Sequence, residues 1–130
     1  MEKFVWTEDF SVGVPLMDEQ HKKLIDLINA VADTNVPGRV FDSIMRMYSY
    51  ADEHFRNEEA LMRRIGYAGI DEQIRMHKSF SAKAVEFAGR DFTKGVTQQE
   101  VFTFLRNWLT EHILKLDMAY KAHVPREGSA

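Results

Sequence analysis

Apolar residues recur at three- and four-residue steps in four separate segments of the chain, at about 17–33, 40–65, 71–88 and 97–124. Because one face of an α-helix returns every 3.6 residues, this spacing predicts four amphipathic helices. The positions that repeat on the predicted inner faces are Met17, His21, Leu24, Ile28 and Val31; Ile44, Met47, Ala51, His54, Glu58, Leu61 and Ile65; Ile74, His77, Phe80, Ala84 and Phe87; and Val101, Phe104, Leu105, Trp108, His112 and Ala119.

Helix-breaking and helix-capping residues separate these segments. Pro37 and Gly38 follow the first helix, and Gly66 provides a stop for the second. Asp71 is predicted to cap the third helix, and residues 97–100, Thr-Gln-Gln-Glu, form a capping box that is predicted to open the fourth. Four helices with short connections predict an all-α fold, an antiparallel up-down-up-down four-helix bundle.

The chain is predicted to form one domain over residues 1–130, with a distinct segment at each end. Residues 1–16 are expected to form an extended N-terminal arm that ends near Pro15 and packs on the body through its aromatic residues. The bundle itself is assigned to 17–124, and 125–130 is a small polar tail. A length of 130 residues is enough to bury one core and too short for two.

Charge and cysteine content exclude several classes of function. The 17 Lys and Arg are outnumbered by 20 Asp and Glu, which argues against a nucleic-acid partner. Cysteine is absent, so disulfides, thiolate nucleophiles, iron–sulfur clusters and c-type haem are excluded, and any metal must be held by nitrogen and oxygen. The N-terminus lacks a signal-peptide pattern and no stretch is apolar enough to span a bilayer, so a cytoplasmic protein without a membrane partner is expected.

Four of the five histidines lie on the apolar face of a different predicted helix: His21, His54, His77 and His112, with His123 as the exception. A single histidine on an apolar face is usually a core residue with one hydrogen-bond partner. Four inward imidazoles in one bundle must instead find four buried partners or share one. A cation is the simplest shared partner.

Two carboxylates bear on the same site. Glu58 follows His54 by four residues on the same face, and an unpaired carboxylate in an apolar core would cost several kcal/mol. Asp117 follows His112 by five residues, which leaves the two side chains about 140° apart on an ideal helix. Asp117 is therefore either a surface residue or is turned inward by a local distortion of the helix, and spacing alone leaves both alternatives open.

Imidazole with carboxylate suits iron, manganese or zinc, and two carboxylates able to bridge among four imidazoles favour two cations over one. A ferritin-like di-iron bundle is disfavoured, because no glutamate stands three residues before any of the four histidines. A b-type haem bundle would need two axial ligands and would leave Glu58 and the other inward histidines unexplained.

The chain resembles the hemerythrin family in the order and spacing of its motifs, over nearly its whole length. In this family the matching residues hold a non-haem di-iron centre that binds dioxygen. The resemblance implies that His21 and His54 bind one iron, that His77 and His112 bind the other, and that Glu58 bridges them. The motifs that carry the resemblance are Trp6 with Phe10, Asp18-Glu19-Gln20-His21, His54-Phe55-x-x-Glu58-Glu59, Met76-His77-Lys78-x-Phe80 and Trp108-Leu109-x-x-His112-Ile113-x-x-x-Asp117.

The resemblance also implies a bridging role for Asp117 and a cofactor of two iron ions, Fe2+ or Fe3+, joined by an oxo or hydroxo bridge. One position departs from the family pattern, because the usual His-x-x-x-His of the third helix is here Gln73-Ile-Arg-Met-His77. Gln73 is expected to coordinate weakly through its amide oxygen or to hydrogen-bond a water in the place of the seventh ligand. Glu72 is a less favoured substitute, since it lies about 100° off the helix face.

Apolar side chains at Phe55, Trp108, Leu109 and Ile113 match the family's oxygen pocket, although any bundle core contains such residues. The principal interpretation is a protein for oxygen binding, transport, storage or sensing, with dioxygen or another small diatomic molecule or peroxide as its ligand and no catalytic side chain assigned. The missing seventh ligand leaves open a di-iron oxidase or peroxidase, or a nitric-oxide or redox-reactive enzyme or sensor, which would add an electron donor as a partner.

Overall fold

The computed structural model describes residues 3–93 and 95–125, and of Pro37, Gly95 and Val96 it describes only the backbone. The described residues form an antiparallel four-helix bundle and contain no strand. A 3-10 turn at Glu8–Phe10 precedes α1 (Pro15–Asp33), α2 (Pro37–Arg64), α3 (Ile70–Ala88) and α4 (Gly95–Glu111), and a π-helix (His112–Asp117) joins α4 to the short α5 (Met118–Lys121). The all-α fold predicted from the sequence is confirmed. Within the described ranges, no helix has the length and apolar character needed to cross a membrane.

Two helices begin earlier than predicted because each starts at a proline. α1 starts at Pro15 and α2 at Pro37, where helices were expected from 17 and from about 40. The first turn of a helix leaves its N–H groups unpaired, so a proline there sacrifices no hydrogen bond. The bundle therefore begins within the segment that was assigned to the N-terminal arm.

The end of α2 agrees with the prediction of a stop at Gly66. Gly66 has a φ of 68°, the left-handed conformation that glycine adopts without a steric penalty. Its N–H donates to the carbonyl of Arg63 at 3.2 Å, and the N–H of Tyr67 donates to the carbonyl of Met62 at 2.9 Å. These two bonds form a Schellman motif, which satisfies the last carbonyls of the helix.

The predicted N-terminal caps of α3 and α4 are wrong. α3 begins at Ile70 after Gly69, so Asp71 lies inside the first turn, where its charge still favours the helix dipole. α4 begins at Gly95, so the capping-box residues 97–100 are already helical. The Gln98 side chain instead donates to two carbonyls at the end of α1, those of Val31 and Thr34, each at 2.7 Å.

The predicted inner faces form the core of the bundle, where all the repeating residues of α1 are buried. On the other helices Ile65, Ile74, Phe104 and Trp108 are only half-buried. Ala119 is exposed, and its assignment to the inner face is wrong because the π-helix changes the register of the residues that follow it.

The N-terminal arm packs on the bundle through aromatic residues, as predicted. Phe4 is buried and meets Phe10 edge to face with ring centroids 5.9 Å apart. The backbone of Phe4 forms a reciprocal pair of hydrogen bonds with the side-chain amide of Asn29, at 2.9 and 2.8 Å. Asp18 accepts hydrogen bonds from the Ser11 hydroxyl and the Val12 N–H. Residues 126–130 of the predicted polar tail lie outside the described residues.

Candidate metal centre

The four histidines predicted to face inward meet at one level of the bundle, and two carboxylates and one amide join them. The helices α1, α2 and α3 each contribute at least one of these side chains, and the π-helix that follows α4 contributes two. All are at most 3% exposed: His21 on α1, His54 and Glu58 on α2, Gln73 and His77 on α3, and His112 and Asp117 at the two ends of the π-helix.

The side chains form two groups that share Glu58. In the first group, the Nε2 atoms of His21 and His54 lie 3.5 and 3.7 Å from Glu58 Oε2. In the second, His77 Nε2 lies 3.2 Å from Glu58 Oε1 and 3.2 Å from His112 Nε2. Within each group the atoms able to bind a metal lie within 4.8 Å of one another. The two oxygens of one carboxylate thus face two separate pairs of imidazoles.

Asp117 lies between the same two groups. Its Oδ1 is 3.3 Å from His112 Nε2, and its Oδ2 is 3.5 Å from His21 Nε2. A π-helix closes its hydrogen bonds between residues five apart, so His112 and Asp117 come to the same face. Of the two alternatives that the sequence left open for Asp117, the structure contains the distorted helix and not the surface residue.

Several buried polar atoms of this site have no hydrogen-bond partner among the described residues. Unpaired polar atoms in a protein interior cost roughly 1–3 kcal/mol each, and more when they are charged. Imidazole Nε2 atoms and carboxylate oxygens in this arrangement fit a pair of cations of the iron, manganese or zinc type, which would satisfy these atoms but not the Nδ1 atoms on the far side of the rings. The unpartnered atoms are His21 Nδ1 and Nε2, Glu58 Oε1, Gln73 Oε1, His112 Nδ1 and Asp117 Oδ2.

Burial and neighbouring charges set the ionisation of the site. Burial lowers the pKa of His54 to about 3, which leaves its imidazole neutral and able to bind a metal. Burial alone would raise the pKa of Glu58, but the facing imidazoles of His54, His21 and His77 hold it well below its ordinary value. Burial, and then the charge of Glu58, raise the pKa of Asp117. Two carboxylates this close are best stabilised together by positive charge.

Two side chains outside the predicted site orient imidazole rings within it. His54 Nδ1 lies 2.8 Å from Gln20 Oε1, and His77 Nδ1 lies 2.9 Å from Glu59 Oε2. Because both partners offer an oxygen acceptor, each Nδ1 carries a hydrogen, which leaves Nε2 as the nitrogen available to a metal beside the shared carboxylate. Sequence analysis missed both residues, since Gln20 and Glu59 are each one position away from a site residue and therefore off the helix face.

Tyr120 is a third residue that sequence analysis missed. Its side chain is fully buried, and its hydroxyl donates a hydrogen bond of 2.7 Å to Glu58 Oε2. Burial and the charge of Glu58 raise the pKa of the phenol, so the hydroxyl stays protonated and remains a donor. The sequence holds no simple signal for this contact, because Tyr120 follows the π-helix.

Tyr120→Phe is expected to weaken the site without changing the fold. Loss of a hydrogen bond to a charged acceptor lowers the free energy of unfolding by roughly 1–3 kcal/mol. Loss of a residue that orients a metal ligand lowers metal affinity by about 10-fold or more. Chemical denaturation and metal titration measure the two effects. Tyr67→Phe is the matched control, since the Tyr67 ring packs against Tyr120 with centroids 6.2 Å apart, and equal losses in both variants would contradict a specific role for the Tyr120 hydroxyl.

Of the four residues predicted to line an oxygen pocket, two stack on the second group of imidazoles. Phe55 stacks on His77 with centroids 4.0 Å apart, and Trp108 stacks on His112 at 4.5 Å. Leu109 and Ile113 are buried in the apolar core that also contains Phe55. Two aromatic rings therefore cover imidazoles directly, while the two aliphatic residues belong to the core beside them.

A cavity of about 230 Å³ opens beside His112 at the surface of the bundle. Its walls include Met76 and Trp108, and Glu72 lies at this cavity and is exposed. Gln73, one position further along α3, is buried, and its amide nitrogen lies 3.0 Å from Asp117 Oδ1. Of the two α3 residues considered for the seventh position, Gln73 lies among the site residues and Glu72 lies outside them.

Comparisons with known proteins agree with this arrangement. The family description "Hemerythrin HHE cation binding domain" matches residues 12–124. Bacteriohemerythrin of Stenotrophomonas maltophilia (strain R551-3) is 32% identical over 95% of this chain and 86% of its own length. Myohemerythrin-1 of Phascolopsis gouldii is 31% identical over 92% of this chain and 93% of its own. A crystal structure of wild-type hemerythrin superposes with a TM-score of 0.80 at 27% identity, covering 91% of this chain and 95% of that one. This chain therefore belongs to the hemerythrin family of HHE cation-binding domains.

Proposed function

We propose that this chain is a non-haem di-iron protein that binds dioxygen reversibly. His21 and His54 hold one iron, and His77 and His112 hold the other. Glu58 and Asp117, whose oxygens lie between the two groups of imidazoles, would be the carboxylates shared by the two irons. The observation that carries the proposal is the division of the buried donors into two groups, with the two oxygens of Glu58 turned toward different groups.

Family membership supports the choice of iron and of dioxygen. The relatives that match the chain are named hemerythrin, myohemerythrin and bacteriohemerythrin. When bound, two ferrous ions supply the two electrons that dioxygen accepts on binding. The side chains around the two ions must meet the other requirements of dioxygen binding.

The protein must orient the ligands and exclude water. Gln20 and Glu59 fix the rings of His54 and His77, so little reorganisation is needed when the cations bind. The rings of Phe55 and Trp108 stack on the second pair of imidazoles, and these imidazoles are only 3% exposed to bulk water. A water-poor site limits the supply of solvent protons that would release a reduced ligand.

Tyr120 holds a proton at its hydroxyl oxygen beside Glu58. Because burial raises the pKa of the phenol, this proton stays on the oxygen at neutral pH and stabilises the negative charge of the carboxylate. The bridging carboxylate is thereby held in one orientation while its two oxygens face the two metal positions.

The test is an optical spectrum of the iron-loaded, reduced protein as air is admitted and then removed. We expect a visible absorption band that appears with air and disappears on its removal, at two irons per chain as in other two-metal sites. A single spectral change that does not reverse, with the added oxidant consumed, would contradict reversible binding. Iron content near zero after reconstitution would contradict the metal centre itself.

A further inference from the structure

Gln73 is a buried amide at the centre of the site. It is 1% exposed and lies four residues before His77 on the inner face of α3. Its Nε2 atom donates a hydrogen bond of 3.0 Å to Asp117 Oδ1, across 44 positions of the chain. This is a direct link between α3 and the end of the π-helix.

The two oxygens of Asp117 have different surroundings. Oδ1 receives the Gln73 amide and lies 3.3 Å from His112 Nε2. Oδ2 has no hydrogen-bond partner among the described residues and lies 3.5 Å from His21 Nε2. The amide thus restrains one oxygen and leaves the other facing the first group of imidazoles.

The amide nitrogen can serve the carboxylate only as a donor. A neutral amide nitrogen carries two hydrogens and has no lone pair available for a metal, so binding through Nε2 is excluded. The opposite orientation of the amide would place two oxygen acceptors 3.0 Å apart, which is unfavourable next to an ionised carboxylate. The contact with Asp117 therefore fixes the orientation of the Gln73 side chain.

We propose that Gln73 is a positioning residue, whose amide N–H holds the Asp117 carboxylate in the orientation in which it bridges the two metal positions. This inference rests on the proposed function. The restraint is present before any cation arrives, since it joins two protein groups. The hydrogen bond lowers the free-energy cost of reorganising Asp117 when the metal binds. It also holds the Asp117 carboxylate in place against the repulsion from the nearby Glu58 carboxylate.

The experiment is a titration of the metal-free full chain with Co2+. The d–d absorption of the bound Co2+ is the readout, because it reports the number and arrangement of the ligands. Gln73→Met keeps the length of the side chain and removes the donor. We expect Co2+ affinity to fall about 10-fold, the lower end of the usual effect of losing such a partner, together with a changed d–d spectrum. Gln73→Leu also lacks the donor, and it replaces Gln73→Met if that variant does not fold.

A double-mutant cycle with Asp117→Ala, which removes the acceptor oxygens, separates positioning from any independent role of Gln73. If Gln73 acts through Asp117, adding Gln73→Met to Asp117→Ala changes the affinity by less than about twofold. Full additivity of the two substitutions would overturn the proposal, because it would mean that Gln73 acts on the metal by itself. A Gln73→Met protein with the affinity and spectrum of the unaltered chain would overturn it as well.

Gln98→Met is the matched control, since it makes the same change at a glutamine that bonds to the end of α1 and not to the site. It is expected to lower stability and to leave the Co2+ spectrum unchanged. Failure of the unaltered chain to bind Co2+ would overturn both this inference and the proposed function. Uptake of two Co2+ that is insensitive to Gln73 would overturn this inference alone.

Discussion

We expect removal of the metal ions to lower the melting temperature of the loaded protein by roughly 20–30 °C. An ion that binds only the folded state at 1,000 times its dissociation constant stabilises that state by about 4 kcal/mol. Two such ions contribute about 8 kcal/mol, and each kcal/mol shifts the melting temperature of a domain of this size by about 3–4 °C. When the ions are removed, the buried carboxylates of Glu58 and Asp117 are left without a positive partner.

Circular dichroism melts of the iron-loaded protein, before and after chelation and again after anaerobic re-addition of Fe2+, measure this shift. His123→Gln is the control, because His123 is exposed and lies outside the site, and the shift should persist in full. Melts of loaded and chelated protein that coincide within a few degrees would show that the donors do not depend on a metal.

Glu58→Gln is expected to abolish tight binding at both metal positions. The amide has nearly the same shape as the carboxylate but lacks its charge, and Glu58 belongs to both groups of donors. The remaining imidazoles are neutral ligands, so the site loses one of its two negative charges and a bridge between the cations. Elemental analysis after gel filtration should find fewer than one iron per chain, against two in the unaltered protein.

Glu59→Gln is the matched control for this experiment, because it makes the same chemical change one residue further along α2. Within the site Glu59 contacts the far side of the His77 ring, at Nδ1, and its other carboxylate oxygen lies 4.0 Å from the Arg63 guanidinium. Its substitution should weaken metal binding by about 10-fold while retaining two irons at saturation. A Glu58→Gln protein that still holds two irons after gel filtration would rule out the bridging role of Glu58.

The sequence predicted the fold because the inner faces of the helices repeat clearly at the helical period. His21, His54, His77 and His112 were identified by the same signal, since a polar residue on an apolar face is conspicuous. The starts of the helices were predicted less well. Capping depends partly on contacts that sequence cannot show, such as the Gln98 amide, which stabilises the end of a helix more than 60 positions away.

Residues that contact the site from outside the inner faces of the helices could not be predicted from the helical period of the sequence. Gln20 and Glu59 are off the faces of their helices, yet their side chains reach the far sides of two imidazole rings. Tyr120 is displaced from the predicted face by the π-helix, and Ala119 was assigned in its place. The physical reasons differ. A one-dimensional period describes where a Cβ points on a regular helix, so it misses the reach of the Gln20 and Glu59 side chains and the change of register before Tyr120.

The π-helix divides the last long helix into two segments whose inner faces are out of phase. One extra residue in a turn rotates every later residue by about 100° relative to a continuous α-helix. Leu114 and Lys115, in the middle of the turn, are exposed, whereas Asp117 at its end and Tyr120 after it are buried. The site therefore tolerates changes of residue type at the outer positions of this turn but not a change in its length, since a single deletion would turn Asp117 and Tyr120 away from the core together.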